Sequence, residues 1–180
     1  MNKVFRFLYV KIIGTLKPLQ YARKIGVNMP ADGVHLYGQI GWGTEPWLIT
    51  LGHDVHITNG VKFITHDGGT LLFRKYVPDL EITKPITVGN EVYIGNNVLI
   101  LPGVNIGNRV IIGAGSIVTK DVEDNSVVVG IPARKIKTAD EYFEKLQKES
   151  IHLGNLKGRE KDKALMDYYH YSGNSNGIYF

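Results

Sequence analysis

One aliphatic residue recurs at every sixth position through the middle of this chain: Val88, Ile94, Ile100, Ile106, Ile112 and Val118. Six successive repeats keep the phase without a slip. Four positions after each comes a second small or branched residue: Val92, Val98, Val104, Val110, Ser116 and Val122. The position directly after the first series is Gly89, Gly95, Gly107 or Gly113 in four of the six repeats. A period of six fits neither an α-helix, which repeats every 3.6 residues, nor a two-sided strand, which alternates. It fits a coil of short strands joined by tight bends, with the aliphatic residue inward and glycine accommodating the backbone at the bend. The predicted fold class is therefore an all-β solenoid.

The same register appears upstream as Leu51, Ile57 and Phe63, with Val55 and Val61 at the second inward position. From Phe63 to Val88 is 25 residues, which is not a multiple of six, so the phase must break. Residues 67–84 (DGGTLLFRKYVPDLEITK) are predicted to form a loop thrown out of the coil. Loops of this length are usually functional or disordered. Stacked repeats bury one another's faces, so the repeats from about Val34 to Ile131 should form one continuous core rather than several domains. Both open ends of such a core need covers. Val4, Leu8, Ile12 and Leu16 with Phe5, Tyr9 and Ile13 fall on one arc of a helical wheel, opposite Lys3, Arg6, Lys11 and Lys17. An amphipathic basic helix is expected within residues 1–26, ending near Gly14 to Pro18. Residues 138–180 are expected to be a helical tail. Thr138-Ala139-Asp140-Glu141 has capping-box spacing and opens a helix to about Lys148, and a second helical stretch runs from about Arg159 to His170.

The charge is uneven. Of 21 Lys and Arg against 17 Asp and Glu, six basic residues and no acidic ones lie in the first thirty positions. The rest of the chain is slightly acidic, and no basic surface with interleaved aromatic residues marks a nucleic-acid partner. With no cysteine, the chain has neither disulfides nor a thiolate nucleophile or thiolate metal ligand. No window has the length and apolarity of a transmembrane helix, and no short apolar block with a cleavage site opens the chain. A cytoplasmic location is expected.

The segment PITVGNEVYIGNNVLILPGVNIGNRVIIGAGSIVTKDVEDNSVVVGIPARKIK resembles the hallmark of the left-handed β-helix (hexapeptide-repeat) acetyltransferases. The resemblance points to the subgroup of galactoside, maltose and xenobiotic O-acetyltransferases, which also includes capsule- and antigen-modifying enzymes. It covers residues 34–137. Left-handed winding of the parallel β-helix, with an extruded loop and flanking N- and C-terminal helices, is implied by this resemblance, because general chirality rules favour the opposite hand. So are acetyl-CoA as cosubstrate, a saccharide or similar hydroxyl acceptor, a role in surface polysaccharide biosynthesis, a homotrimer with sites shared between subunits, and no metal.

In that family one histidine, lying just before the protruding loop, removes the acceptor proton. FITHDGG places His66 there. An imidazole is basic enough near neutral pH to assist a hydroxyl nucleophile. Read without the resemblance, His66 is a surface histidine at a coil corner. His35, His53 and His56 lie upstream and read as corner residues or acceptor contacts. Asp67 adjoins His66, but adjacent side chains in extended structure point apart. The resemblance carries coenzyme contacts to Asn96 in YIGNN and Ala114 in IGAGS, both along the pantetheine arm. It carries contacts near the adenine to Thr119 and Lys120 in IVTKD, and contacts near the nucleotide phosphates to Arg134 and Lys137 in IPARKIK. The family often has Trp where this chain has Tyr93, and upstream of Leu51 there is no clear match to its acceptor-binding positions.

These residues imply direct transfer: His66 takes the hydroxyl proton and the oxygen attacks the thioester carbonyl. A zinc carbonic anhydrase on the same coil would need three converging histidines, and none lies between His66 and His152. A non-catalytic scaffold is disfavoured by the intact GAGSIVTKD and PARKIK segments. N-acetylation of an amino sugar remains open, since the same base serves an amine. The basic N-terminal helix has two readings: a cover for the open coil, or a peripheral contact with the inner face of the membrane, which would suit a lipid-linked acceptor.

Overall fold

A computed structural model of the protein describes residues 14 and 16–171. The amphipathic helix expected before Gly14 lies outside the described residues. Within the expected N-terminal segment, the described helix is α1 (Pro18–Lys24), which begins where the sequence reading ended one. The reason is local: Pro18 occupies the first helical turn, where its missing N–H costs nothing, and Arg23 and Lys24 sit in the last turn against the negative end of the dipole.

Twelve short strands follow: β1 (Val34–Tyr37), β2 (Ile49–Leu51), β3 (Val55–Thr58), β4 (Lys62–Phe63), β5 (Ile86–Val88), β6 (Val92–Ile94), β7 (Leu99–Ile100), β8 (Asn105–Ile106), β9 (Val110–Ile112), β10 (Ile117–Val118), β11 (Ser126–Val129) and β12 (Arg134–Lys137). They form three sheets, ordered β1-β3-β6-β9-β11-β12, β2-β5-β8 and β4-β7-β10. From β2 to β10 the chain visits these sheets in a fixed rotation, and every pairing except β11 with β12 is parallel. After the loop, partners lie eighteen residues apart as far as β10, as in Val92 with Val110 and Val88 with Ile106, and sixteen apart where β11 joins β9. Three hexads thus make one turn. Across the loop the separation is 37, as in Phe63 with Ile100. The excursion therefore adds nineteen residues to one turn without disturbing the register on either side.

The hexad residues are the core. Ile94, Ile100 and Ile112 are fully buried, as are Val92, Val98 and Val110, and Val88, Ile106 and Val118 are nearly so. Full burial of each such side chain stabilises the fold by about 1.5–3 kcal/mol. Ser116, the one polar member, is satisfied: its hydroxyl donates to the Gly113 carbonyl at 2.7 Å and accepts from the Gly130 N–H at 3.1 Å.

The hexad glycines serve a different purpose from the one expected. Left-handed backbone falls instead two residues later, on Glu91 (φ 56°), Asn97 (φ 58°), Gly103 (φ 83°), Arg109 (φ 56°) and Gly115 (φ 71°). Gly95 is required by stacking: a Cβ there would lie 2.6 Å from the backbone nitrogen of Ala114, one turn on. At another corner, asparagine side chains take up the turn's exposed N–H groups. Asn108 Oδ1 accepts from the Asn90 N–H at 2.9 Å, and Asn90 Oδ1 from the His53 N–H at 2.8 Å.

Residues 67–84 leave between β4 and β5. Their base is tied by an antiparallel bridge between His66 and Thr83, with Asp67 N–H donating to the Ile82 carbonyl at 2.9 Å and Lys84 N–H to that of Thr65 at 2.8 Å. The excursion holds a single helical turn, α2 (Thr70–Phe73), and its Arg74 side chain pairs with Glu81 and reaches the Leu80 carbonyl at 3.0 Å. The PARKIK segment folds back as the antiparallel strand β12 on β11. Helix α3 (Ala139–Glu149) begins next. The chain divides into two compact units, residues 1–140 and 141–180; the second carries the rest of α3 and helix α4 (Gly158–Tyr168). Among the described residues, no helix is long and apolar enough to cross a membrane.

Candidate active site

His66 is placed by the third sheet. Just past β4, Ile64 N–H donates to the Ile100 carbonyl at 2.9 Å, which fixes the strand direction. Thr65 then turns fully inward and His66 outward, with 39 % of its side chain exposed. The preceding turn runs alongside: Gly41 N–H donates to the Val61 carbonyl and Phe63 N–H to that of Gly41, both at 2.8 Å. This pairing carries residues 43–45 past residues 63–66. Gly43 makes the approach, since its φ of 69° is left-handed and a Cβ would lie 2.9 Å from the Phe63 carbonyl oxygen.

The result is a carboxylate beside the imidazole. Glu45 Oε2 lies 3.0 Å from His66 Nδ1 and accepts from the Thr65 hydroxyl at 2.5 Å, while Oε1 accepts from the Thr44 hydroxyl at 2.6 Å. Thr44 Oγ1 is also 3.1 Å from His66 Nδ1. These hydrogen bonds, from Thr44 first, then Thr65, with a smaller share from His66, hold the Glu45 carboxyl down at about 2 from its ordinary 4.5, against the opposing effect of its burial. An ionised carboxylate only accepts, so the proton of a neutral His66 sits on Nδ1. Nε2 then presents a free lone pair. Asp67, the sequence neighbour, is engaged elsewhere, accepting from the Gly69 N–H at 2.8 Å.

His66 faces an open groove of about 480 Å³, lined by the loop base (Asp67, Gly68, Ile82, Lys84) and by Leu101, Pro102 and Thr119 of successive turns. Thr119 is thus brought to the same groove as His66. Lys120 and Arg134 line a second groove, of about 380 Å³, together with Val118 and Asp121. Asn96 and Ala114 are exposed and stacked one turn apart at a third place, a corner where Gly115 N–H donates to the Asn96 carbonyl at 2.7 Å. Lys137 lies on β12 opposite Val127 and lines neither groove. Tyr93 stands outward on β6, between His56 and Ile111 on the flanking strands.

Thr44, Glu45 and Thr65 were not singled out from the sequence. Glu45 lies in an irregular stretch, GWGTEPW, outside the hexad phase. The available signal was Thr65, a hydroxyl at a position directed into the core, which needs a partner there.

Residues 85–120 match the family model "Bacterial transferase hexapeptide (six repeats)". The chain is 42 % identical to Protein CapG of Staphylococcus aureus over 163 residues, 90 % of this chain and 95 % of the relative. It is 49 % identical to the galactoside O-acetyltransferase of Escherichia coli over 114 residues, 57 % of this chain and 56 % of the relative. It therefore spans little more than half of that enzyme's length. Among solved structures, the maltose O-acetyltransferase of Clostridium difficile superposes with a TM-score of 0.54 at 25 % identity, over 76 % of this chain and 89 % of the other.

Proposed function

This chain belongs to the hexapeptide-repeat acetyltransferase family, and from that premise we propose that it transfers an acetyl group from acetyl-CoA to a hydroxyl of a saccharide acceptor, with His66 as general base. The single observation that carries the reading is the His66–Glu45 pair at 3.0 Å. It leaves Nε2 basic and directed by a fixed carboxylate, the arrangement a proton-abstracting histidine requires. Nε2 takes the hydroxyl proton as the acceptor oxygen attacks the thioester carbonyl. The C–S bond then breaks, and the departing coenzyme sulfur recovers the proton from the imidazolium. The base supplies roughly 10²–10⁴ in rate, and positioning with backbone N–H donors supplies the rest.

The three parallel sheets with their eighteen-residue turn support one three-sided prism over residues 34–137, left-handed as the family implies, with the excursion at 67–84 shaping the acceptor side of the His66 groove. Thr119 sharing that groove, and Lys120 with Arg134 beginning the next, support a coenzyme path that runs from thioester to nucleotide phosphates. In this reading Asn96, Ala114 and Lys137 extend that path through a neighbouring copy of the chain, and the working enzyme is the homotrimer that the family resemblance implies. The sugars named in the two relatives support a saccharide acceptor, and the family resemblance a role in surface polysaccharide biosynthesis. The reaction is cytoplasmic, where acetyl-CoA is available.

The test supplies acetyl-CoA with a galactoside, maltose and an amino sugar, and follows product mass. Products labile to hydroxylamine, as esters are, bear the reading out. Stable amides would make the enzyme an N-acetyltransferase, and no product with any acceptor, with no binding to immobilised coenzyme A, would make it a scaffold.

A further inference from the structure

We propose that His35, Asp54 and His56 form a surface site for a divalent transition-metal cation of the zinc class, which clips strand β1 to strand β3. The register puts His35 directly beside His56 on neighbouring parallel strands, both outward, and Asp54 two residues before His56. Among the described residues this is the one group of three His, Asp or Glu side chains whose ligand atoms all lie within 4.8 Å of one another.

His56 Nε2 and Asp54 Oδ1 are already 3.0 Å apart. Two ligands each about 2.0–2.2 Å from one ion, at angles between octahedral and tetrahedral, stand about 3–3.5 Å from each other. This pair therefore has the bite of a chelate without moving. The other His56 nitrogen, Nδ1, is 3.0 Å from the Tyr37 hydroxyl. With a cation on Nε2, the remaining ring proton sits on Nδ1 and is donated to Tyr37, the outer partner that metal-bound imidazoles require. His35 is stacked on His56 with ring centroids 4.5 Å apart and planes 17° from parallel. It is exposed, so rotation about its side-chain bonds brings a ring nitrogen to the ion unhindered. Two imidazoles and one carboxylate, with a water completing four ligands, suit zinc and its neighbours rather than magnesium or calcium, which take oxygen. The site is on the first sheet, whereas His66 follows a strand of the third.

The test uses the full chain, stripped by chelator and desalted, titrated with zinc chloride by calorimetry and followed by thermal unfolding. One equivalent should bind and raise Tm. His35→Asn and Asp54→Asn should each weaken binding at least roughly tenfold, and Tyr37→Phe by less, whereas His66→Asn should bind zinc as the parent does. Circular dichroism of each variant without metal separates lost binding from lost fold. Binding weaker than roughly 0.1 mM in the parent, unaltered affinity in His35→Asn, or loss of binding in His66→Asn would each overturn the proposal.

Discussion

His66 Nδ1 stands 3.0 Å from Oε2 of Glu45, a residue of the preceding turn that two threonine hydroxyls also hold. The contact links a histidine legible from the hexad phase to a carboxylate that the phase does not mark. It fixes the ring's tautomer and direction, and under the proposed mechanism it makes Glu45 a positioning residue that stabilises the imidazolium formed during transfer.

Glu45→Ala should lower kcat by roughly tenfold to a hundredfold, a share of what general-base help supplies. KM for acetyl-CoA should stay within about twofold, since Glu45 faces the base rather than the cation-lined groove. Steady-state kinetics on the folded variant distinguish this from a structural role, which would move both constants.

The depressed Glu45 carboxyl makes an acid-stability prediction. Its folded value of about 2 lies below its ordinary 4.5. The charged form is therefore favoured by folding, and the contribution is fully present above about pH 4.5 and lost as pH falls toward 2. Urea unfolding of the parent and Glu45→Gln at pH 7, 4 and 3 should show the parent's advantage shrinking below pH 4.5. A constant difference would contradict the assignment.

Gly43→Ala should destabilise by about 1–3 kcal/mol, because the new Cβ meets the Phe63 carbonyl and Thr65 hydroxyl and the backbone is left-handed. Its kcat should fall as well, because Thr44 and Glu45 are displaced with it. Denaturant titration and kinetics on one preparation check both.

Arg134→Ala and Lys120→Ala should each raise KM for acetyl-CoA by roughly threefold to tenfold, with kcat nearly unchanged, as loss of a cation facing a phosphate does. The effect should shrink as salt is raised, because these side chains are exposed. Initial rates at two ionic strengths measure it.

Much of the fold was legible because one force writes it. Every hexad position from Val88 to Val118 is buried, and the 25-residue gap after Phe63 marks where the chain leaves its sheets. Periodicity reports burial, so it was silent where burial does not set the geometry. Strand β12 carries Arg134, Lys135 and Lys137 and pairs through backbone alone, so no apolar alternation announced it. The glycines after the first hexad series answer to a different need: Gly95 admits the next turn, while left-handed backbone falls on Glu91, Asn97, Gly103, Arg109 and Gly115. The resemblance marks His66 at a fixed position before the loop, and the structure puts it at the loop base beside Thr83. Glu45 was not marked, because its contact crosses from one turn to the next through Gly41 and Gly43, a relation that pairing creates and spacing does not.

The measurement that bears most directly on the account is kcat/KM of His66→Ala for acetyl transfer, taken with its Tm and its affinity for coenzyme A. The variant should lose roughly 10²–10⁴ of the parent's activity while melting and binding coenzyme as the parent does. Activity within a few-fold of the parent would contradict the role given to His66, and with it the site built around that imidazole.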